Sequence, residues 1–236
     1  MPGESDIATD IAKEIAKQIS IKSMYDDAAS PLAKQLGATL EDLSKTLRLV
    51  LAPLQVGAVL QDRFRRFIER SALKVPEEQR IIPAPQLLGP ILEGIKYELH
   101  DSEISEMFSE LLSRSMDTKH SGDAHPSFPA IIRQLSTDEA KILLALKKER
   151  IAAIFSYDVS GSVRSMEGLR VNHLGLRYPE NSLLYASRFF TLGLIDWHNT
   201  PEKYEFLEDG DKIGIKHLKL SHVGEWFMRA CSPRER

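Results

Sequence analysis

Residues 117–146 read DTKHSGDAHPSFPAIIRQLSTDEAKILLAL, and how they are read decides how the chain divides. The first thirteen residues hold two histidines, two carboxylates and two prolines. Imidazole and carboxylate are common metal ligands, so Asp117, His120, Asp123 and His125 are the first candidates for a site. A metal needs ligands held in fixed directions, and this set has no helical i, i+4 pair of the HExxH kind. A solvated polar loop is the expectation. His125 differs because it precedes Pro126, where an imidazole can bond a helix end or an Arg and lock the turn. A short bridging helix is expected over Phe128 to Leu135, with Ser127 as its cap. Ser136 and Glu139 then form a capping box, the Ser hydroxyl accepting from the Glu139 amide while the Glu139 side chain reaches back. The stretch reads as a joint between two parts of the chain.

Upstream of the joint the pattern is helical. Leu87, Leu88, Ile91, Leu92, Ile95 and Leu99 give one helix from about Gln86 to His100, with Pro90 tolerated only in a first turn. Asp101 caps the next, on which Ile104, Met107, Phe108, Leu111 and Leu112 recur at three and four. So short a connection makes the two an antiparallel hairpin. VPEEQRIIPAPQLLGP, with Pro76, Pro83, Pro85 and Pro90, is an extended connector. Before it, QDRFRRFIERSALK turns Phe64, Phe67, Ile68 and Leu73 to a core and Arg63, Arg65, Arg66 and Arg70 outward. Thr39 opens a helix that Pro53 kinks or ends. Ile7, Ile11, Ile15 and Ile19 form a stripe that needs a partner, favouring a protein contact or a second copy over a membrane.

Downstream, DEAKILLALKKER is a helix with Ile142, Leu143 and Leu146 inward and cations at its negative end. DVSGSVRSMEGLRVNHLGLRYPE is expected to be loop with one short helix. A helix over Leu183 to Leu192 closes on Gly193 and leads into a short strand. KYEFLEDGDKIGIKHLKL alternates on both sides of Asp209-Gly210, a hairpin signal, and a last helix starts at Ser221. That order is the order of a winged helix-turn-helix. The expected fold is mainly α: residues 1–38 an amphipathic helix and linker, 39–135 a helical core, and 136–236 a small α+β winged-helix-like domain.

Composition narrows the function. Charged residues at 28% and hydrophobic residues at 42% are ordinary globular values. A net charge of -3 lacks the basic bias of a dedicated nucleic-acid binder. The only cysteine, Cys231, excludes an intrachain disulfide or a CxxC zinc site, and reads as a buried small hydrophobe. The N-terminus has no basic start followed by an apolar run, so no secretory signal is expected. Leu47 to Leu60 is too short to span a bilayer, which takes about 20 apolar residues. There is no GxSxG elbow, P-loop or GxGxxG. No catalytic residue, metal site, cofactor or small-molecule substrate is identified. Glu98, Asp101, Glu103, Glu106 and Glu110 read as a solvated helix face. Residues 136–236 hold fifteen Lys/Arg against fourteen Asp/Glu, thin for a duplex-binding domain. The residues placed to touch nucleic acid or a protein partner are Tyr185 and Arg188 on the expected recognition helix, and Lys212, Lys216 and Lys219 on the ribbon.

LAPLQVG, then VPEEQRIIPAPQLLGPILEGIKYELHDSEISEMFSELLSRSMD, then HPSFPAIIRQLSTDEAKILLAL resemble the Abi-alpha (abortive infection alpha) family. The pattern is carried by Pro53, Pro76, Pro83, Gly89, Pro90, Leu99, Met107, Phe108, Leu111, Leu112, Met116, His125, Pro126, Phe128, Leu135, Ser136, Asp138, Glu139 and Ala140. LGLI and LSHVGEWFMRAC resemble its close, so coverage runs from about Leu43 to Cys231. The resemblance implies a cytoplasmic protein of bacteria or prophages, with structural roles for Pro83, Gly89, Pro90, Phe108, His125, Pro126, Phe128, Ser136 and Glu139. It implies no enzyme activity or cofactor. The expected function is phage defence through protein or nucleic-acid contact. The alternatives are a winged-helix DNA-binding regulator and a membrane-acting toxic effector.

Overall fold

The computed structural model describes residues 58–99, 101–157, 162–198, 203–206 and 212–234. The isoleucine stripe, the Thr39 cap, Pro53, most of Leu47 to Leu60 and the Asp209-Gly210 turn lie outside them. Helix α1 (Ala58–Ala72) buries Phe64, Phe67 and Ile68 as its spacing predicts. Leu73 departs from expectation and stands 60% exposed, because the helix ends at Ala72 and Val75 fills the core position. Arg63 is not purely solvated: it donates to the carbonyls of Ile95 at 2.7 Å and of Glu98, closing the C-terminal end of the next helix.

That helix, α2 (Pro85–Ile95), carries Pro90 inside it rather than in its first turn. Pro90 removes one intrahelical bond, and the burial of Leu87, Leu88, Ile91, Leu92 and Ile95 holds the helix together regardless. It ends at Ile95, earlier than expected, so Leu99 is 79% exposed. Ser102, not Asp101, caps α3 (Glu103–Ser115), accepting from the Ser105 amide at 3.0 Å. The α2–α3 pair packs together as predicted.

Helix α3 is apolar on one side by sequence, yet buried nearly all round. Ser105, Ser109, Glu110, Ser113, Arg114 and Ser115 are buried alongside Met107, Phe108, Leu111 and Leu112. α1, α2, the short α4 (Phe128–Ile132), α5 (Thr137–Leu146) and a later helix all contact it. Polar groups on such a helix need partners. Ser71 and Ser109 hydroxyls meet at 3.0 Å, and Lys74 donates to Glu110 at 2.8 Å and also to Glu106. Glu110 is therefore no part of a solvated face.

The second half holds more sheet than its sequence suggests, and the fold is mixed α+β rather than mainly α. Strand β1 (Ile151–Tyr157) pairs with β2 (Val163–Leu169), where a loop with one short helix was expected. β2 has an exposed outer half and no apolar alternation of its own, so only its pairing with β1 defines it. Two 3-10 turns, Asn172–Leu174 and Pro179–Asn181, lead into α6 (Ser182–Thr191). Gly193, at φ +68 in the left-handed region that glycine tolerates, turns the chain into β3 (Ile195–Trp197). β4 (Lys203–Phe206) and β5 (Lys212–Leu220) follow as the predicted antiparallel ribbon, then α7 (His222–Cys231). The sheet order is β2-β1-β5-β3, with β4 also on β5.

Ser221 caps α7 as expected, accepting from the Gly224 amide at 2.9 Å. α7 returns across the sequence to lie on α3 and β5. Gly224 makes that approach close, since a Cβ there would overlap the backbone carbonyl of Leu194. A backbone group cannot give way as a side chain can, so Gly224→Ala is expected to lower stability by about 3 kcal/mol in urea melts. One buried apolar cluster runs from Phe64 to Cys231.

Candidate functional site

The joint folds around its polar groups. The capping box at Ser136 and Glu139 is present, with Glu139 accepting from the Ser136 amide at 2.7 Å. Its other oxygen takes Arg188 Nε at 2.6 Å, and Arg188 also donates to the Gln134 carbonyl. Asp138 is 3% exposed and accepts from the amides of Arg177 and Tyr178, both at 2.8 Å, and from the Tyr185 hydroxyl at 3.2 Å. Burial works to raise the Asp138 pKa, but those two amides and the hydroxyl hold it below the ordinary carboxylate value. Tyr185 is 5% exposed with its hydroxyl turned to the joint, and Arg188 is tied there as well.

His125 locks its turn as proposed. Nδ1 accepts from the Ser127 amide at 3.2 Å and lies 2.8 Å from the Ser127 hydroxyl. Ser127 stands at the start of α4 without capping it, because its hydroxyl serves His125 instead. The imidazole leans on Phe128 and Trp226, and Phe128 meets Trp226 and Phe227 edge-on at 5.9 and 5.3 Å. Phe108 is wholly buried, Pro83 is buried, and Gly89 and Pro90 are half-buried. All are packing positions.

The loop after α3 is not simply solvated. Asp117 is fully buried, accepting from the Lys119 amide at 2.9 Å and from Arg234 at 2.7 Å, with His120 Nδ1 at 2.8 Å. Burial would raise its pKa, yet these partners lower it below the ordinary range. Asp123 pairs with Arg229 at 3.1 Å. Asp123 thus docks α7 and Asp117 the chain after it, and among the described residues no group of three or more His, Cys, Asp or Glu could hold a metal ion.

What the joint and α7 enclose is basic. A groove of about 560 Å³ is lined by Arg114, His120, Leu146, Lys147, Lys219, Leu220, Glu225, Met228, Arg229 and Arg234. A second hollow, about 480 Å³, shares Leu146, Lys147 and Lys219 with it and adds Lys148, Glu149, Arg150 and His217. Seven Lys/Arg thus face two Glu, in a protein whose net charge is -3. Local sequence rules supply each cation. Lys147 and Lys148 close α5 where its dipole is negative, and strand alternation puts His217 and Lys219 on one face. Arg229 is four residues past Glu225 on α7.

Several of these groups have partners. Arg234 and Arg229 hold Asp117 and Asp123, and Lys147 donates to the Pro233 carbonyl at 3.2 Å. Four do not: Arg114, 6% exposed, Lys148, Arg150 and Lys219 make no side-chain hydrogen bond or ion pair with any described residue, and Arg114 Nε is a buried, unpartnered atom. Burial, then Arg234, pulls the Arg114 pKa below its usual value despite Glu110, Asp123 and Asp117 nearby. At the neighbouring edge, His198 Nδ1 and His217 Nδ1 also lack partners. Burial, then Arg150, Lys219 and His217, hold the His198 imidazole below its ordinary pKa.

Of the five residues that sequence marks for contact, only Lys219 is in the groove. Lys216 lies over the Phe155 ring at 5.5 Å, and Lys212 begins β5 opposite Tyr157 and Phe206. Sequence reading missed Arg114, Lys147, Arg229 and Arg234 as a group because three separate segments, α3, the end of α5 and α7 with the residues after it, contribute them. Cys231 is buried as expected, and burial pushes its thiol well above the ordinary value. Among the described residues, no helix is long and apolar enough to cross a membrane.

A family model described as abortive infection alpha matches residues 57–231, most of the chain. The match begins after Leu43 and ends at Cys231, as the resemblance anticipated for its close. No curated protein and no solved structure matches.

Proposed function

The chain belongs to the abortive infection alpha family, and from that premise we propose that it is a bacterial or prophage phage-defence protein acting in the cytoplasm by binding at its basic groove. The observation that carries the reading is Arg114, a buried guanidinium left without a partner at the wall of a groove rich in cations. Leaving such a group unpaired is costly, and a bound anion would offset that cost. The side chains best suited to nucleophilic chemistry are already committed: Ser136 to a cap, and Cys231 to the core. Recognition rather than turnover is therefore the reading.

A winged-helix DNA reader is the second reading, and the sheet order favours it. Strands in the order β1-β5-β3 beside α5 and α6 match a winged helix, with β2 added. The outer face of α6 argues for a protein contact instead. Leu183 and Leu184 are 45% and 55% exposed there, while Arg188 is held by Glu139. Without free cations that helix has little to offer phosphates.

The test is plaque formation on cells expressing the wild-type chain or a Lys147→Glu, Lys219→Glu variant. Protection by the wild type is expected to fall at least about tenfold in the variant at equal expression. Equal protection sinks the groove reading.

A further inference from the structure

The groove's walls say which anion fits. Its cations come from several directions: Arg114 from α3, Lys147 from the end of α5, Lys219 from β5, and Arg229 and Arg234 from α7 and beyond. A planar carboxylate satisfies one guanidinium fork, whereas a phosphate presents oxygens to several donors at once. The two hollows share Leu146, Lys147 and Lys219, with Arg114 lining one and Arg150 the other, so a ligand that reaches into both meets cations in each. Imidazoles are the only rings in either lining, which leaves no platform for stacking a base. Arg114 at 6% exposed is out of reach of a duplex backbone, whose phosphates lie on a convex surface. The combined size suits a small molecule.

We propose that this groove binds a small ligand carrying two or more adjacent phosphate groups, with Arg114 as its buried anchor. The proposal rests on the groove being the functional surface and adds the chemistry of what enters it. Selection is made by the phosphates and not by the organic part. Asp117 and Asp123 pair with Arg234 and Arg229, so these cations are positioned before the ligand arrives.

Calorimetric titration of the full chain with inorganic tripolyphosphate, with ATP and with a short DNA duplex tests it. Tripolyphosphate and ATP are expected to bind with similar affinity, and the duplex not to displace them. Arg114→Met should weaken tripolyphosphate binding at least about tenfold while Tm stays level or rises, since it removes an unpaired buried charge. Lys219→Gln, at an exposed position, should weaken binding several-fold with Tm unchanged, and it decides alone if the first variant fails to fold. Absence of binding by the wild type at low ionic strength overturns the proposal, as does binding indifferent to both substitutions. Tight duplex binding without tripolyphosphate binding overturns it in favour of a nucleic-acid groove. If protection against phage still depends on Lys147 and Lys219 while no phosphate compound binds, the groove reading stands and the ligand class falls.

Discussion

Asp138→Ala is expected to lose about 2–3 kcal/mol of stability, because it leaves two part-buried amides without their acceptor and takes from the buried Tyr185 hydroxyl one of its two, the Tyr178 carbonyl being the other. A domain of this kind has about 5–15 kcal/mol in all, so the variant should be largely unfolded in mild denaturant. Arg177 and Tyr178 lie in the chain leading to α6, and Tyr185 lies on α6 itself. One carboxylate thus fastens the start of α5 to an element some forty residues on. Asp138→Asn keeps an acceptor but loses the charge, and should fall between the two. The same carboxylate sets an acid limit. Its folded pKa is depressed, so its contribution is complete above the unfolded carboxylate value, about 3.9, and is lost as pH falls through the lower folded value. Asp117 acts in the same direction. Urea midpoints measured from pH 6 down to 3 should drop steeply at the acid end, and less steeply in Asp138→Asn. A flat profile would contradict the assignment.

Phe128→Ala should cost about 4 kcal/mol, the usual range for deleting a packed aromatic ring. The ring is 2% exposed, and edge-on contacts with Trp226 and Phe227 join the bridging helix to α7. A cavity there loosens the element that supplies Arg229 to the groove, so Arg229 and Arg234 should lose their fixed positions along with the stability. Phe128→Leu refills most of the volume and should recover more than half of the loss. Chemical denaturation followed by the fluorescence of Trp197 and Trp226 reads both, and equal costs for Ala and Leu would refute the packing account.

What could be read from sequence was what neighbours in the chain decide. The Ser136/Glu139 box, the Ser221 cap, the Gly193 turn and the β4–β5 ribbon are short-range features, and each is where its motif predicts. Distant pairing hid the rest. β2 is a strand because β1 lies beside it, and its own residues carry no signal. Asp117 and Glu110 look like surface carboxylates until Arg234 and Lys74 arrive from elsewhere. Leu73 and Leu99 fit an apolar period that continues past the ends of their helices. The groove has the same origin. Its cations look like ordinary helix-end and strand residues, and only the return of α7 onto α3 gathers them.

The tie between Asp117 and Arg234 spans 117 residues. At a ribosomal rate of about 5–20 residues per second, the later partner follows the earlier by on the order of ten seconds. Throughout that interval α3 is already made while α7, which covers it, is not. A newborn chain therefore presents Phe128 and the flank of α3 to the cell before it can own a groove. Any premature stop before α7 yields a helical fragment with that apolar flank uncovered and without the α7 wall of the groove, a substrate for chaperones and proteases.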